Sequence, residues 1–181
     1  MTKVPGKRTQ EIGKQLKQKL IDETNKFEGI NLFYDHGDSS DPEVCAPTTY
    51  MGRRYGDDAT LSNVDIILTK GNEVILAVEI EESSVSPKKV IGDIFGIAIA
   101  DSIMIQEKPY SLKDVTVIVA YLDEEKGKQS NKYQRLEEHL KKYFATNTLR
   151  SVSKVRIIPC KKGDMVRRIE RLIRLELEKN T

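Results

Sequence analysis

Three carboxylates stand near one another in the middle of the chain, in a pattern that could hold a divalent metal ion. Asp65 lies within the segment SNVDIILT, and Glu79 and Glu81 lie near the end of EVILAVEIEE. Carboxylate oxygens are the ligands that Mg²⁺ prefers, and bound Mg²⁺ can neutralise a phosphodiester and lower the pKa of a water. Asp65 and Glu79 are the expected direct ligands, and Glu81 would either bind the ion or orient the attacking water. The pattern therefore predicts phosphodiester hydrolysis that uses Mg²⁺, with Mn²⁺ as a substitute.

A β-hairpin is needed to bring these carboxylates together. The two segments are rich in Val and Ile and flank Lys70-Gly71-Asn72, which is a typical hairpin turn. Because side chains alternate along a strand, Glu79 and Glu81 are expected to project together, about 7 Å apart, on the face opposite the apolar residues Val74, Leu76, Val78 and Ile80. Asp65 is likewise expected opposite Val64, Ile66 and Leu68. The alternative interpretation is a solvated hairpin with acidic outer positions.

The surrounding segments predict an α/β fold with a mixed central sheet flanked by helices. Apolar residues at helical spacing indicate helices at 8–27, 87–105, 129–145 and 163–179, and strands are expected at 30–34, 114–122 and 154–160. Ser86 and Pro87 suit the N-cap and first position of the second helix. Because the later strands alternate with helices, parallel or crossover connections are required.

The bulk properties indicate one domain, residues 1–181, with a long loop at 35–61. A net charge of +2 is too small to imply a nucleic-acid partner by itself. No apolar run is long enough to span a membrane, and no apolar stretch follows the N-terminal charges as in a secretory signal.

Cys45 and Cys160 lack the partners of a zinc site and are expected to be reduced thiols in a cytoplasmic protein.

The long loop carries a candidate nucleic-acid contact, Arg53, Arg54 and Tyr55. Arginine can donate to phosphate or guanine, and tyrosine can stack on a base. An ordinary basic loop is the alternative.

The last helix carries a second basic group, in which Arg167, Arg171 and Arg174 share one side. This side could bind phosphate. It could equally be a solvated face, because Glu170 and Glu178 each lie four residues from Arg174 and could pair with it.

The element order and the three carboxylates resemble the PD-(D/E)xK nuclease superfamily over residues 8–122. The resemblance implies a restriction-endonuclease-like αβββαβ core, with Asp65 as the motif Asp and Glu79 as the motif Glu. Glu81 stands where Lys is usual, as in the Glu-x-Glu variants of the superfamily. Some members carry the Lys on the next helix, where Lys88 and Lys89 lie in this chain. Glu11 on the first helix matches a position where many members add a further acidic ligand.

The resemblance implies a metal-dependent endonuclease that cuts DNA, of restriction type. Cleavage of both strands of a duplex usually requires two sites, so a two-fold symmetric homodimer is expected. One alternative is a nuclease scaffold that has lost catalysis and binds DNA or a protein. The other is a junction or repair nuclease, which recognises DNA structure rather than sequence.

Overall fold

The computed structural model describes residues 7–22, 27–35, 44–52, 55–56, 58–81, 86–123, 130–147, 151–161 and 163–179. In these residues the fold is α/β, with a mixed, open eight-stranded sheet and four helices. The strands are β1 (Ile30–Tyr34), β2 (Thr48–Tyr50), β3 (Thr60–Asn63), β4 (Ile66–Lys70), β5 (Glu73–Glu81), β6 (Ser102–Ile105), β7 (Lys108–Leu122) and β8 (Val152–Cys160). The helices are α1 (Lys7–Lys17, continued by a π-helical turn over Gln18–Asp22), α2 (Pro87–Ala98), α3 (Ser130–Thr146) and α4 (Met165–Leu177).

The sheet combines antiparallel and parallel pairs, as predicted. Its order is β1-β4-β5-β7-β6-β2-β3, and β8 also pairs with β7. The pairs β1–β4 and β4–β5 are antiparallel, whereas β5–β7 and β7–β8 are parallel and are connected through helices α2 and α3. The 15 residues of β7 allow it to pair with β6 through Lys108–Ser111 and with β8 through Val115–Leu122.

Two apolar cores lie on opposite faces of the sheet. One core contains the buried residues of α2 and α3, among them Val90, Ile94, Leu140 and Phe144. The other contains those of α1 and α4, among them Ile12, Leu16, Ile169 and Ile173. Ile169, Ile173 and Leu177 form the buried apolar side of α4 in this second core. Since helices cover both faces, even the polar positions of the central strands can be buried.

Helix α2 begins where the sequence predicts and ends earlier. The Ser86 hydroxyl accepts a hydrogen bond from the Lys89 backbone N–H at 3.2 Å, and Pro87 is the first helical residue. The predicted extension to residue 105 is wrong, because Ser102–Ile105 form β6, which pairs with both β2 and β7. The turn between β6 and β7 contains Gln106 and Glu107, both with positive φ. Such turns usually contain Asn or Gly, so this sequence carries no turn signal.

The predicted loop at 35–61 contains strand β2 and the start of β3. Both strands are short and polar, and they are joined by a hydrogen-bonded contact of 2.9 Å between the Thr49 and Ser62 hydroxyls. Polar strands lack the apolar alternation by which a strand is predicted. The segment SNVDIILT is likewise two strands rather than one, since β3 ends at Asn63 and β4 begins at Ile66.

Helix α1 is shorter than the predicted 8–27, and residues 23–26 lie outside the described part of the chain. Across the residues that the structure describes, no helix is long and apolar enough to cross a membrane.

Candidate functional site

The predicted hairpin is present as β4 and β5. The two strands pair antiparallel, with Ile66 opposite Val78, and Gly71 takes a positive φ of 58° in the turn. The predicted division of its apolar side chains is only partly right. The register shifts at Leu68/Thr69 and again between Val74 and Leu76, so Val74 joins the core under α2 and α3. Leu76, Val78 and Ile80 belong to the opposite core.

The two glutamates of β5 are buried, so the alternative of a solvated hairpin with acidic outer positions is wrong. Glu79 is 7% exposed and Glu81 is 3% exposed. They follow Ala77 at alternate positions, on the sheet face that α2 and α3 cover. The charge of Glu81 contributes to a raised pKa of Tyr133 on α3, whose burial is the larger cause. The carboxylates therefore lie inside the molecule, near the C-terminal end of β5.

Asp65 and Glu79 are brought together by two backbone contacts. Asp65 occupies the break between β3 and β4, and its Oδ2 accepts a hydrogen bond from the Ile80 N–H at 2.7 Å. The Asp65 backbone N–H in turn donates to the Glu79 carboxylate. These contacts connect the start of β4 to the end of β5 and confirm that the hairpin places the two carboxylates side by side.

Lys89 contributes a positive charge to this group. Its Nζ lies 2.6 Å from Glu81 Oε2, and it comes from the first turn of α2. Partial burial acts to lower the Lys89 pKa, but the hydrogen bond to Glu81 and the charges of Glu81, Asp93 and Asp65 outweigh it, so the pKa is raised. Lys88 is exposed, and within the described residues it has no hydrogen bond or ion pair to these carboxylates. Of the two predicted lysines, the structure brings Lys89 to the site.

Asp93 is a fourth carboxylate that the sequence analysis missed. Its side chain forms a hydrogen bond with Glu81, and its Oδ2 is fully buried without a conventional donor. Two carboxyl groups can share a hydrogen bond only if one of them is protonated. Burial, the Glu81 hydrogen bond and the Glu81 charge raise the Asp93 pKa to about 7, although Lys89 acts to lower it.

A signal for Asp93 existed in the sequence. It lies four residues after Lys89, hence on the same side of α2, and it is the one acidic residue in the otherwise apolar stretch VIGDIFGIAIA. An isolated charge on the buried side of a helix needs a partner.

The neighbouring carboxylates also affect the pKa of Glu79. Its pKa is raised well above the ordinary value by burial and then by the charges of Asp65, Asp93 and Glu81, against a backbone hydrogen bond that lowers it. The four carboxylates thus repel one another and share the charge of Lys89. We call Asp65, Glu79, Glu81, Lys89 and Asp93 the carboxylate cluster.

The cluster has carboxylate oxygens that could bind a hard cation, but these oxygens are not arranged around a metal position. Among the described residues, no three His, Cys, Asp or Glu side chains are arranged to hold a metal ion. Asp65 Oδ2 is engaged by a backbone N–H, and Glu81 is engaged by Lys89. Carboxylate oxygens suit Mg²⁺. The buried Asp93 Oδ2 has no hydrogen-bond partner, so it would lose no hydrogen bond on binding an ion. Lys89 and the shared proton would have to move for an ion to bind.

The remaining predicted site residues lie elsewhere. Glu11 is exposed on α1, the helix that covers the other face of the sheet, and is not brought to the cluster. Tyr55 is exposed, and its ring packs edge-on against Tyr50, with centroids 5.3 Å apart. Arg53 and Arg54 lie outside the described residues.

The basic side of α4 has acidic partners. Arg174 Nε lies 3.0 Å from Glu170 Oε1, and its guanidinium also donates to the Lys19 carbonyl at 2.8 Å. Arg167 and Arg171 are exposed. The pairing of Arg174 favours the interpretation of this side as a solvated face.

Cys45 and Cys160 are free thiols. Burial is the main cause that raises the pKa of each to about 12, so both stay protonated near neutral pH.

Comparison of the chain with protein-family models, with curated proteins and with solved structures finds no match.

Proposed function

We propose that the protein is a metal-dependent nuclease that hydrolyses DNA phosphodiester bonds at the carboxylate cluster. The observation that carries the proposal is the group of four interacting carboxylates beside one lysine, in which Glu79 and Glu81 are buried and Asp65 and Asp93 are half-buried. Buried like charges destabilise a fold, and burial costs several kcal/mol or more per ion when an ion is poorly compensated. Selection for stability alone would replace them with apolar residues. A divalent cation would neutralise the cluster, which gives the arrangement a functional reason.

The topology supports a restriction-endonuclease-like core. The path α1-β1-β4-β5-α2-β7 has the order αβββαβ, with two antiparallel pairs followed by one parallel pair. Asp65 immediately precedes the second of these strands, and Glu79 lies on the third. These are the positions of the motif Asp and Glu in the PD-(D/E)xK superfamily. Strands β2, β3 and β6 are additions to that path.

In the proposed reaction Asp65, Glu79 and Glu81 would hold Mg²⁺, or Mn²⁺ in its place, and Asp93, which interacts with Glu81, could join them. The ion would neutralise the phosphodiester and lower the pKa of the attacking water. Glu81 would orient that water once its carboxylate is no longer bound to Lys89. The Lys89 ammonium, on an exposed and flexible side chain, would then stabilise the charge that develops on the phosphate. Exposed Tyr55, with Arg53 and Arg54, is the proposed contact to DNA.

Plasmid cleavage in Mg²⁺ or Mn²⁺, compared with the same reaction in EDTA, tests this proposal. We expect metal-dependent cleavage by the wild type and its loss in Glu79→Gln and Asp65→Asn. The matched control is Glu176→Gln, because Glu176 is also a buried glutamate held by a lysine, with Lys154 Nζ 2.5 Å from its Oε2. Wild-type cleavage by folded Glu79→Gln would remove the catalytic assignment.

The two neighbouring lysines provide a second comparison in the same assay. Lys89→Ala is expected to reduce the cleavage rate by roughly two orders of magnitude, the usual loss on removal of one charge-stabilising group. Lys88→Ala, one residue away and without contact to the cluster, should cleave as the wild type does. Equal rates for the two variants would exclude the assigned role of Lys89.

The second candidate function is a binding module built on the same scaffold. It is favoured by the engagement of Glu81 by Lys89 and by the lack of an arranged metal site among the described residues. Here Lys89 and the shared proton on Asp93 would replace the metal permanently. DNA that is bound but not cut in Mg²⁺ or Mn²⁺ would favour this function. Cleavage of a four-way junction in preference to plasmid would instead indicate a structure-specific nuclease.

A further inference from the structure

The ion pair between Glu81 and Lys89 joins a buried group to an exposed one. Lys89 Nζ lies 2.6 Å from Glu81 Oε2, and the side chain of Lys89 is 56% exposed, whereas that of Glu81 is 4% exposed. Glu81 is the last residue of β5, where Tyr121 of β7 is its neighbour in the sheet. The backbone of Lys89 is fixed at the N-terminus of α2, because its N–H donates to Ser86 Oγ. When the pair separates, the Lys89 side chain is therefore the part that moves.

A cation must stay beside Glu81 whenever Lys89 moves away. A buried carboxylate that loses its partner bears the full cost of desolvation. The carboxylates of Glu79 and Asp93 lie close enough to add repulsion to that cost. An ammonium and a divalent ion repel each other, so both cannot occupy the position next to Glu81 Oε2. Lys89 and a divalent ion therefore compete for one position.

The other oxygens of the cluster favour such an exchange. Asp93 Oδ2 is fully buried and, among the residues that the structure describes, has no hydrogen-bond partner. Asp93 follows Lys89 by one helical turn, and its side chain interacts directly with Glu81. Carboxylate oxygens are ligands that suit both Mg²⁺ and Mn²⁺. Once Lys89 has left, Glu81 has lost its cation, and oxygens suited to a divalent ion remain beside it.

A phosphate of DNA would give Lys89 a new partner. Lys88 and Lys89 are consecutive exposed residues in the first turn of α2. A phosphodiester that approaches the cluster reaches these ammonium groups first, because Glu81 lies deeper and repels it. An ammonium–phosphate pair keeps the Lys89 charge compensated while Glu81 is released. Without DNA, an ion has to displace Lys89 into water, where Lys89 gains no such partner.

We propose that Lys89 makes metal binding at the carboxylate cluster conditional on DNA. In the free protein its ammonium occupies the position of the ion beside Glu81, and a DNA phosphate withdraws it when the substrate binds. This inference rests on the proposed function and adds that DNA and the ion bind cooperatively. Because such coupling is reciprocal, the ion strengthens DNA binding by the same factor by which DNA strengthens ion binding.

Isothermal titration calorimetry with Mn²⁺ in the absence of DNA tests the competition directly. Lys89→Met removes the competing ammonium and keeps a long side chain, so it is expected to bind Mn²⁺ roughly tenfold more tightly than the wild type. Lys88→Met is the matched control and should bind as the wild type does. Equal affinity of Lys89→Met and the wild type would overturn this inference and leave the proposed function standing. If neither protein binds Mn²⁺, with or without DNA, the cluster is not a metal site and the proposed function fails as well.

Lys89→Arg keeps the test decisive if Lys89→Met folds poorly, because it retains the positive charge. A guanidinium can hold a carboxylate through two hydrogen bonds, so this variant should bind Mn²⁺ more weakly than the wild type. Circular dichroism establishes that each variant is folded. Tighter binding of Mn²⁺ by Lys89→Arg would contradict the competition.

The coupling to DNA is measured by repeating the titration with a short duplex whose phosphorothioate linkages resist hydrolysis. The heat of Mn²⁺ binding to the duplex alone is subtracted. The duplex should raise the Mn²⁺ affinity of the wild type roughly tenfold and that of Lys89→Met by clearly less. No increase in the wild type, or an equal increase in both proteins, would overturn the role of Lys89 in the coupling.

Discussion

Individual side chains in the carboxylate cluster are held by contacts that also limit their chemistry. Glu81 accepts a hydrogen bond from Lys89 Nζ, and its interaction with Asp93 raises the pKa of the Asp93 carboxyl. A proton on Asp93, whose pKa is raised to about 7, and the ammonium of Lys89 partly neutralise the charge of this group. A metal ion that binds here as proposed would have to compete with a proton and a lysine for these oxygens, so its affinity is expected to rise with pH.

The raised pKa of Asp93 predicts that the stability of the metal-free protein depends on pH. Its pKa is about 7 in the folded chain against an ordinary value of 3.8, so the folded state binds the proton more tightly than the unfolded state. The stabilisation from this group is complete below about pH 4 and is lost as pH rises through about 7. Asp93→Asn, which cannot titrate, should gain stability relative to the wild type over this range.

Urea denaturation in the presence of a chelator, repeated across that pH range, measures this difference. The exposed Asp58→Asn serves as the control and should follow the wild type. A constant difference between Asp93→Asn and the wild type would mean that Asp93 does not hold the shared proton.

At the scale of elements, close packing between α1 and β1 places α1 on the sheet. Gly13 of α1 faces the ring of Tyr34 at the end of β1, and Tyr34 is buried. The adjacent residues Ile12 and Leu16 lie in the same core. Glycine at this position is explained by the packing, whereas propensity alone would favour alanine.

Gly13→Ala is expected to destabilise the protein despite its better helix propensity. The added Cβ would lie 2.5 Å from Tyr34 Cγ, so the ring or the helix must move. Overpacking of this kind costs about 1–3 kcal/mol, which outweighs a propensity gain of about 1 kcal/mol at most. The free energy of unfolding from urea titration should fall by about 1 kcal/mol. Gly163→Ala, at a position with no atom within 4 Å, is the control and should not fall; an equal loss in both would contradict the packing argument.

At the scale of the whole molecule, the sheet connects the cluster to the rest of the fold. The parallel strands β5, β7 and β8 run in the same direction, and the cluster lies where β5 ends. Helices on both faces bury Glu79 and Glu81, so the repulsion between these two carboxylates acts in a medium of low dielectric constant. The stability of the whole chain should therefore respond to any ion that binds them.

Mg²⁺ or Mn²⁺ is expected to raise the melting temperature. An ion that binds only the folded state adds RT ln(1 + [M]/Kd), which is about 2.7 kcal/mol at a hundred times Kd. Differential scanning calorimetry of the wild type and of Glu79→Gln measures the effect, and the variant should gain clearly less. Glu176→Gln should gain as much as the wild type. An identical melting temperature with and without ions in the wild type would show that the cluster does not bind them, and would favour the binding-module interpretation.

Much of the fold could be predicted from local patterns in the sequence. The β4–β5 hairpin follows from two Val- and Ile-rich segments around Gly71, and the start of α2 follows from Ser86 and Pro87. The proximity of Asp65 and Glu79 follows from the hairpin. These features depend on residues close in sequence, where turn chemistry, capping and alternation act directly.

Features that depend on distant segments were decided by the tertiary structure. Glu79 and Glu81 are buried because α2 and α3 cover their face, which alternation along one strand cannot reveal. The apolar run after α2 forms β6 because β2 and β7 offer it hydrogen-bonding partners, although its composition also suits a helix. Asp93 joins the cluster because the crossover from β5 to β7 lays α2 over Glu81. Local sequence determines which secondary structures each segment can form. Long-range strand pairing and burial determine which of them is adopted and which groups surround each charged side chain.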